Sequence, residues 1–315
     1  MRTLVTGGAG FLGSHLVDRL LAEGHSVDAI DDLSAGTLAN LADARANRDH
    51  ELKFHHFDIR APELADIAIR RAPEVIYHVA APAQAVSATD PGADASVVVL
   101  GTLNVLEAAR RAGVRKVVVA ASAADLYGPV GPGDLPVKES QPFAPRTPAG
   151  IARKAVIDYL QVFRERDQLE FTALALTTLY GPRRRYGVVA RFLVAAMAAT
   201  PATVHGDGRQ TRDLLFIDDA VDAFVRAAVR GSGLVVNVGT GIQTTALELH
   251  RVVADVVDLD RPAIPPERGP RQPDEPGRFA VSPVRARIHL GWAPFTPLTS
   301  GLAATRDWLA ANPHN

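Results

Sequence analysis

The stretch that most restricts how this chain can fold is Met1–Asp32, where a strand, a glycine-rich turn, a helix, a second strand and an acid follow one another. Arg2–Thr6 is a short β-prone run and Gly7-Gly8-Ala9-Gly10-Phe11-Leu12-Gly13 is the turn. Phe11–Glu23 then carries Phe11, Leu12, Leu16, Leu20 and Leu21 at helical spacing. Gly24-His25 ends that helix, and Ser26–Ile30 forms a strand that finishes on Asp31, eighteen residues after Gly13. That distance is close to the roughly 20-residue spacing of a ribose-binding acid in a dinucleotide site. In such a unit Gly7 permits the tight turn, Gly10 lets backbone approach a pyrophosphate, and Gly13 lets the helix pack against the strand. Free N–H groups at the helix start face the diphosphate. Asp31 would accept from the adenosine ribose hydroxyls, which favours NAD over NADP within an expected NAD(P)H requirement.

Length and composition narrow the class further. A chain of 315 residues can bury a large core, and 47% apolar with 22% charged residues is an ordinary globular balance. The net charge of −1 offers no reason to expect nucleic acid or an anionic membrane as partner. With no cysteine, a disulfide, a thiolate metal site and a cysteine nucleophile are excluded, and no metal is expected. The first residues enter a strand at once and no apolar run reaches the roughly 18 residues of a spanning helix, so a cytoplasmic protein is expected.

The turn TGGAGFLG has the GxxGxxG spacing and is followed by DDLSAG (Asp31–Gly36). In this it resembles the extended short-chain dehydrogenase/reductases, which include nucleotide-sugar epimerases and dehydratases. The resemblance runs along nearly the whole chain. It implies cofactor contacts at Gly7, Gly10, Phe11, Leu12, Gly13, Asp31, Asp32, Ser34 and Ala35, and an adenine corner at Asp58 and Ile59 after the strand Leu52–Phe57. An exposed acid at a strand end is the plainer reading of Asp58. Strand Val75–Val79 with Ala80 and Ala81 supplies small residues beside the central phosphates, and His78 reads as a packed strand residue. Gly101-Thr102-Leu103-Asn104-Val105 on the long helix Pro91–Ala112 matches the family's GTxNV segment, and Lys116–Ala121 is the next strand. Alternating strands and helices predict an α/β fold, a doubly wound parallel (Rossmann) sheet with a smaller C-terminal α/β substrate lobe. The expected division is 1–175 for the dinucleotide domain, with segments near 203–240 returning to it, and 176–315 mainly for substrate.

The family's chemistry requires an Asn on the long helix, a Ser or Thr after the fifth strand, and a Tyr and Lys four residues apart. An unperturbed phenol titrates at about 10 and needs a cation beside it to act near neutrality. Flanking residues locate these positions at Val98, Ala123, Ala149 and Arg153, so all four are replaced. Arg153 stays charged and can hold a ribose but is no proton donor. Ala123 and Ala149 are expected to open space for something large and apolar. Tyr159, downstream at the wrong spacing, reads as a packing residue. Further cofactor contacts are implied for Val79, Ala80, Ala81, Ala121, Arg153, Leu176 and Leu179, and substrate contacts for Ala123, Asp125, Ala149, Thr178, Arg183 and Arg212.

In the second half, Leu179-Tyr180-Gly181-Pro182-Arg183 is similar to VYGPR, with Thr178 where the family has Asn. Gly206–Asp213 resembles GDGxQxRD, whose arginine holds a sugar-nucleotide diphosphate, and Asn237–Gly241 resembles NxGTG. Arg183-Arg184-Arg185 suits either an anion or a solvated loop. Asp218 or Asp219 is a candidate helix cap. The Pro-rich stretch Arg261–Pro283, with Arg271 and Arg278, reads as a long covering loop.

Three functions follow as expectations. The emptied catalytic set resembles that of the atypical angucyclinone ketoreductases, implying NAD(P)H-dependent reduction of an aromatic polyketide ketone. There the substrate's own phenol would replace the usual acid, whose contribution is about 10²–10⁴-fold. The GDG–Arg signature favours instead a nucleotide-sugar epimerase or dehydratase. A non-catalytic NAD(H)-binding sensor accounts for the missing groups with no chemistry. A small-molecule partner is expected in each case, and the resemblance implies a homodimer through helices beginning near Pro91 and Ala149.

Overall fold

The computed structural model describes residues 1–47, 49, 51–82, 90–258, 264–270 and 277–313. Its centre is a seven-stranded sheet in the order β3-β2-β1-β4-β5-β6-β11, every neighbour parallel. The strands are β1 (Arg2–Thr6), β2 (Ser26–Asp31), β3 (Leu52–His56), β4 (Val75–His78), β5 (Lys116–Ser122), β6 (Glu170–Leu176) and β11 (Leu234–Val238). Strands buried on both faces are apolar almost throughout rather than alternating. Val117, Val118 and Val119 show the consequence, because Val118 enters the core on one face while its two neighbours enter the core on the other. The first core gathers Leu16, Val17, Leu20 and Phe224, and the second Val105, Leu106, Val156 and Leu160.

The helices that cover the sheet include α1 (Phe11–Ala22), α2 (Ala42–Ala46), α3 (Glu63–Arg71), α4 (Pro91–Ala112), the short α5 (Ala123–Tyr127) and α6 (Pro148–Asp167). By length and composition α4 could cross a membrane, but 44% of its most apolar window is buried in the protein, where it packs on α3 and α6. Its second turn, Ser96–Gly101, is wound as a π-helix, a local widening that recurs at functional sites.

Beyond β6 come β7 (Thr178–Tyr180), α7 (Val188–Met197), β8 (Thr203–His205), β9 (Thr211–Arg212), β10 (Leu214–Phe216) and α8 (Ile217–Ala227). After β11 follow β12 (Thr244–Thr245), α9 (Ala246–Val257), β13 (Glu267–Gly269), α10 (Val284–Leu290) and α11 (Leu298–Ala311). The short strands pair as β7 with β10, β9 with β12, and β8 with β13. Two sequence expectations change here. Asp219 caps no helix: its carboxylate accepts from the N–H and hydroxyl of Thr296 at 3.2 and 2.7 Å, because α8 starts deep in the core. The stretch 261–283 is no simple cover either, since Glu267–Gly269 joins β8 and Phe279–Val281 is core; Arg271 lies outside the described residues.

Candidate functional site

Strand order reverses between β1 and β4, and the loops at their carboxyl ends meet there. Gly7, at φ +71°, turns the chain so closely that a Cβ on it would lie 2.8 Å from the Ala80 backbone. A Cβ on Gly13 would sit 1.9 Å from the Gly7 carbonyl oxygen, so only glycine lets α1 start against the turn. The N-cap of α1 is Gly10, with no side-chain cap and no acid in the first turn. The helix therefore presents bare N–H groups and the positive end of its dipole, a seat for an anion. Phe11 and Leu12 begin the helix, both half-buried.

Asp31 is buried beside this turn. One carboxylate oxygen accepts from the Ala9 N–H at 2.9 Å and the other from the Leu33 N–H at 2.8 Å, while burial pushes its pKa up. Each oxygen keeps a lone pair for a hydroxyl. The loop beyond is stitched to the turn: Thr37 N–H and the Asn40 amide both donate to the Ala9 carbonyl, and Ser34 donates twice to Asp32. Ala35 is exposed next to it. A turn in which side chains would collide, an uncapped helix start and a carboxylate held by backbone together fit a dinucleotide. Gly7, Gly10 and Gly13 would flank its diphosphate and Asp31 its ribose.

At the far edge Asp58 is paired with its neighbour, its carboxylate taking the Arg60 guanidinium at 2.5 Å, so the plainer reading of an exposed acid gains a partner. Asn104 of the GTLNV segment secures this corner by donating to the carbonyls of Ile59 and Ala61 at 2.6 and 3.0 Å. His78 is the packed residue expected: one ring nitrogen meets Thr6 Oγ1 at 2.7 Å and the other Thr102 Oγ1 at 2.9 Å, and burial lowers its pKa to about 4. Val79 and Ala80 are half-buried and Ala81 exposed just past it.

The elements that carry the four positions expected to be replaced pack on one another. Val98 lies in the π-wound turn, its carbonyl accepting from Thr102 Oγ1. Ala123 starts α5, and α5 packs on the start of α6, which carries Ala149 and Arg153. The contact is close, since a Cβ on Gly150 would stand 2.4 Å from the Asp125 carbonyl oxygen. Arg153 bridges the two helices: Nη1 donates to the Ala149 carbonyl at 3.0 Å, and Nε lies 3.6 Å from the Asp125 carboxylate. Ala121 and Ser122 end β5 beside Ala175 and Leu176 of β6, with Thr178 and Leu179 following on β7. Lys154 is no substitute for the missing lysine, being exposed and paired with Asp158 at 2.7 Å.

None of the five tyrosines takes the vacant role. Tyr77 is fully buried, Tyr127 donates to Asn237 at 2.9 Å, Tyr180 donates to the Leu298 carbonyl, and Tyr186 lies over Arg184. Burial pushes the Tyr127 and Tyr180 hydroxyls well above the usual phenol range. Tyr159, expected to pack, is instead 40% exposed on α6. It forms a stripe with Ile151 and Val162, spaced so that one helix face carries all three.

On the other side of the site, a shallow cleft opens between α7, β8, β9 and β12. Arg191, Thr203, His205, Gln210, Arg212 and Thr245 line it, so Arg212 of the GDG signature shares the cleft with a second arginine. Arg191 belongs to no motif, and its only sequence signal was a cation within an otherwise apolar helix. Asp213 next door is fully enclosed and takes four donors: Thr240 N–H and Oγ1, Gly241 N–H and Val281 N–H, at 2.6–3.2 Å. Arg183, expected to touch substrate, is turned to Asp18 on α1 at 2.7 Å.

A family model described as the NAD dependent epimerase/dehydratase family matches residues 3–239. The chain belongs to that family. It is 44% identical over 316 residues to a UDP-glucose 4-epimerase of Mycolicibacterium smegmatis, covering 98% of both chains. Among solved structures it is similar to a Thermotoga maritima UDP-glucose 4-epimerase crystallised with UDP-glucose, with TM-score 0.92, 32% identity and all of both chains covered. A Thermus thermophilus UDP-glucose 4-epimerase in complex with NAD gives TM-score 0.88 and 33% identity, covering 98% of this chain and 99% of that one.

These relatives correct the expectation of an angucyclinone ketoreductase. Relatives matched over their full length include UDP-sugar 4-epimerases and a dTDP-glucose 4,6-dehydratase, and the epimerase/dehydratase alternative is the one supported. The geometry gives a physical reason. Ala123 is 0% and Val98 9% exposed, so no chamber for a flat polycycle opens at those two positions, while Ala149 is half-buried. A missing side chain leaves space only where its neighbours cannot close in.

Proposed function

We propose that this family member binds NAD and a nucleotide sugar and interconverts the sugar by oxidation and reduction at a hydroxyl carbon, with Asp125 as proton acceptor in place of a phenol. The observation that carries this reading is the end-to-end kinship with UDP-glucose 4-epimerases. The cleft lined by Arg191 and Arg212 supports it, because two guanidiniums suit a nucleoside diphosphate. Gly7, Gly10, Phe11, Leu12 and Gly13 hold the cofactor diphosphate, and Asp31 holds the ribose and disfavours a 2′-phosphate. When bound, the nicotinamide serves as electron acceptor and then donor. Asp125 takes the hydroxyl proton and returns it, while Arg153 fixes the direction of the carboxylate. A carboxylate is a weaker base than a phenolate, so turnover is slow. The division of labour is between the main sheet up to about residue 175, for the dinucleotide, and most of the remainder, for the sugar nucleotide. Leu100, 58% exposed on α4, and Ile151, 61% exposed on α6, form the homodimer face.

Incubation with UDP-glucose, read by NMR for UDP-galactose, tests the reaction. We expect slow conversion that D125N lowers at least about tenfold with NAD retention unchanged. A second reading, the non-catalytic NAD(H)-binding sensor, is favoured by the four replacements. Tight UDP-sugar and NAD binding with no conversion, by wild type or D125N, establishes the sensor and removes the enzyme.

A further inference from the structure

The loop after β7 carries three consecutive arginines, and each has a different fate. Arg183 pairs with Asp18 on α1 at 2.7 Å. Arg185 lies 4.7 Å from the Trp308 ring centroid and donates to the Asn312 carbonyl, anchoring the loop to α11. Arg184 does neither. Its guanidinium sits between the rings of Phe11, at 5.2 Å, and Tyr186, at 4.5 Å, and among the described residues it has no carboxylate and no hydrogen-bond acceptor.

Phe11 is the first residue of α1, so this cation stands beside the positive end of a helix that has neither a side-chain cap nor an acid in its first turn. The surroundings add no compensation. His15, edge-on to Phe11 at 5.7 Å, is pushed down to about 4 by burial and by the Arg183 charge, so it is neutral and its ring is committed to the Pro182 carbonyl. Two aromatic faces attract a guanidinium but do not neutralise it, and a half-buried charge is costly until an anion pairs with it. The group sits on the loop that follows β7, and through Phe11 it lies against the start of α1, next to the glycine-rich turn.

We propose that Arg184 is a diphosphate-binding residue that closes over the phosphates of a nucleotide seated at the start of α1. The aromatic walls hold it ready and the bound diphosphate supplies its missing counter-charge. This rests on the reading above that the chain binds a dinucleotide. A diphosphate could come from the cofactor or from the nucleotide sugar, and the two are separable with ADP and UDP as probes.

The test is calorimetric titration of the full chain, wild type against R184M and R184K, with ADP, UDP and adenosine. Loss of one charge-assisted contact predicts that R184M weakens ADP by about 10- to 100-fold and leaves adenosine unchanged, while R184K recovers most of the loss. If UDP weakens in place of ADP, the contact stands and belongs to the nucleotide sugar. Unchanged affinities for both, or equal losses in R184M and R184K, overturn the proposal, the second because the side chain would then act by packing alone. R184Q is the neutral variant should R184M not fold. A wild-type chain that binds neither NAD nor any probe overturns the functional reading itself, whereas wild-type binding indifferent to R184M overturns only this inference.

Discussion

The turn at the head of β1 and the pair of helices α5 and α6 lie at the carboxyl ends of the same sheet, yet they are built very differently. In the turn the contacts are made by backbone: Gly7 and Gly8 donate to the Ile30 carbonyl, Gly10 to the Gly7 carbonyl, and Ala9 to the Asp31 carboxylate. A side chain can be introduced there only by breaking the packing, as the 1.9 Å clash at Gly13 shows. Across α5 and α6 the function depends on side-chain tips, and Ala123, Ala149 and Arg153 replace polar groups without disturbing the helices that carry them. Binding written in backbone geometry is coupled to stability, whereas chemistry written in side-chain ends is not. The second can be lost while the first persists.

The largest effect is expected from breaking the turn. G13A forces a Cβ into the Gly7 carbonyl, and overpacking of that kind costs about 3 kcal/mol or more. A fall in melting temperature and loss of measurable NAD binding by calorimetry are expected together; an unshifted melt with intact binding would separate the turn from stability. Next is the attempt to rebuild the other region. A149Y with R153K is expected to raise UDP-sugar turnover by about 100-fold, the lower end of a general acid–base contribution, because α5 and α6 are still docked for it. No gain, measured against wild type by NMR, would mean that the replaced region has drifted beyond two side chains.

A third measurement sharpens what stands beneath the turn. The folded pKa of His78, about 4, is below its ordinary 6.5, so between these values the unfolded chain binds more protons. Its contribution to stability is therefore full above about pH 6.5 and is lost as pH falls toward 4, by about 3 kcal/mol from the shift. Urea unfolding across that range, with H78N as the variant that removes the titration, tests it. The smallest effect on the fold is expected from L100D with I151D, within about 0.5 kcal/mol for exposed positions, while the sedimentation coefficient drops to that of a monomer.

What was legible in the sequence follows the same line. Motifs that act along the chain, such as TGGAGFLG ending in Asp31, GTLNV and GDGRQTRD, could be read because their spacing is their geometry. Even the losses at Val98, Ala123, Ala149 and Arg153 were visible, since intact flanks held the register. Illegible were the lateral encounters. Nothing along the chain announces that Arg184 meets Phe11, that Arg191 shares a cleft with Arg212, or that Asp219 serves Thr296. The inference of an opened chamber failed because the space around Ala123 depends on how neighbours relax, which no local pattern encodes. Tyr159 was misread for a related reason, a helix face being apolar without the monomer covering it.

Asp213 directs attention to a different kind of conservatism. Its carboxylate knots the strand that ends in Arg212 to the Thr240-Gly241 turn and to Val281, far along the chain. The backbone next to Arg212 is thus fixed by a buried neighbour. Under the proposed reading, cleft residues such as Thr203, His205 and Gln210 would then set which nucleotide is welcomed, like interchangeable jaws on a vice whose screw stays tight.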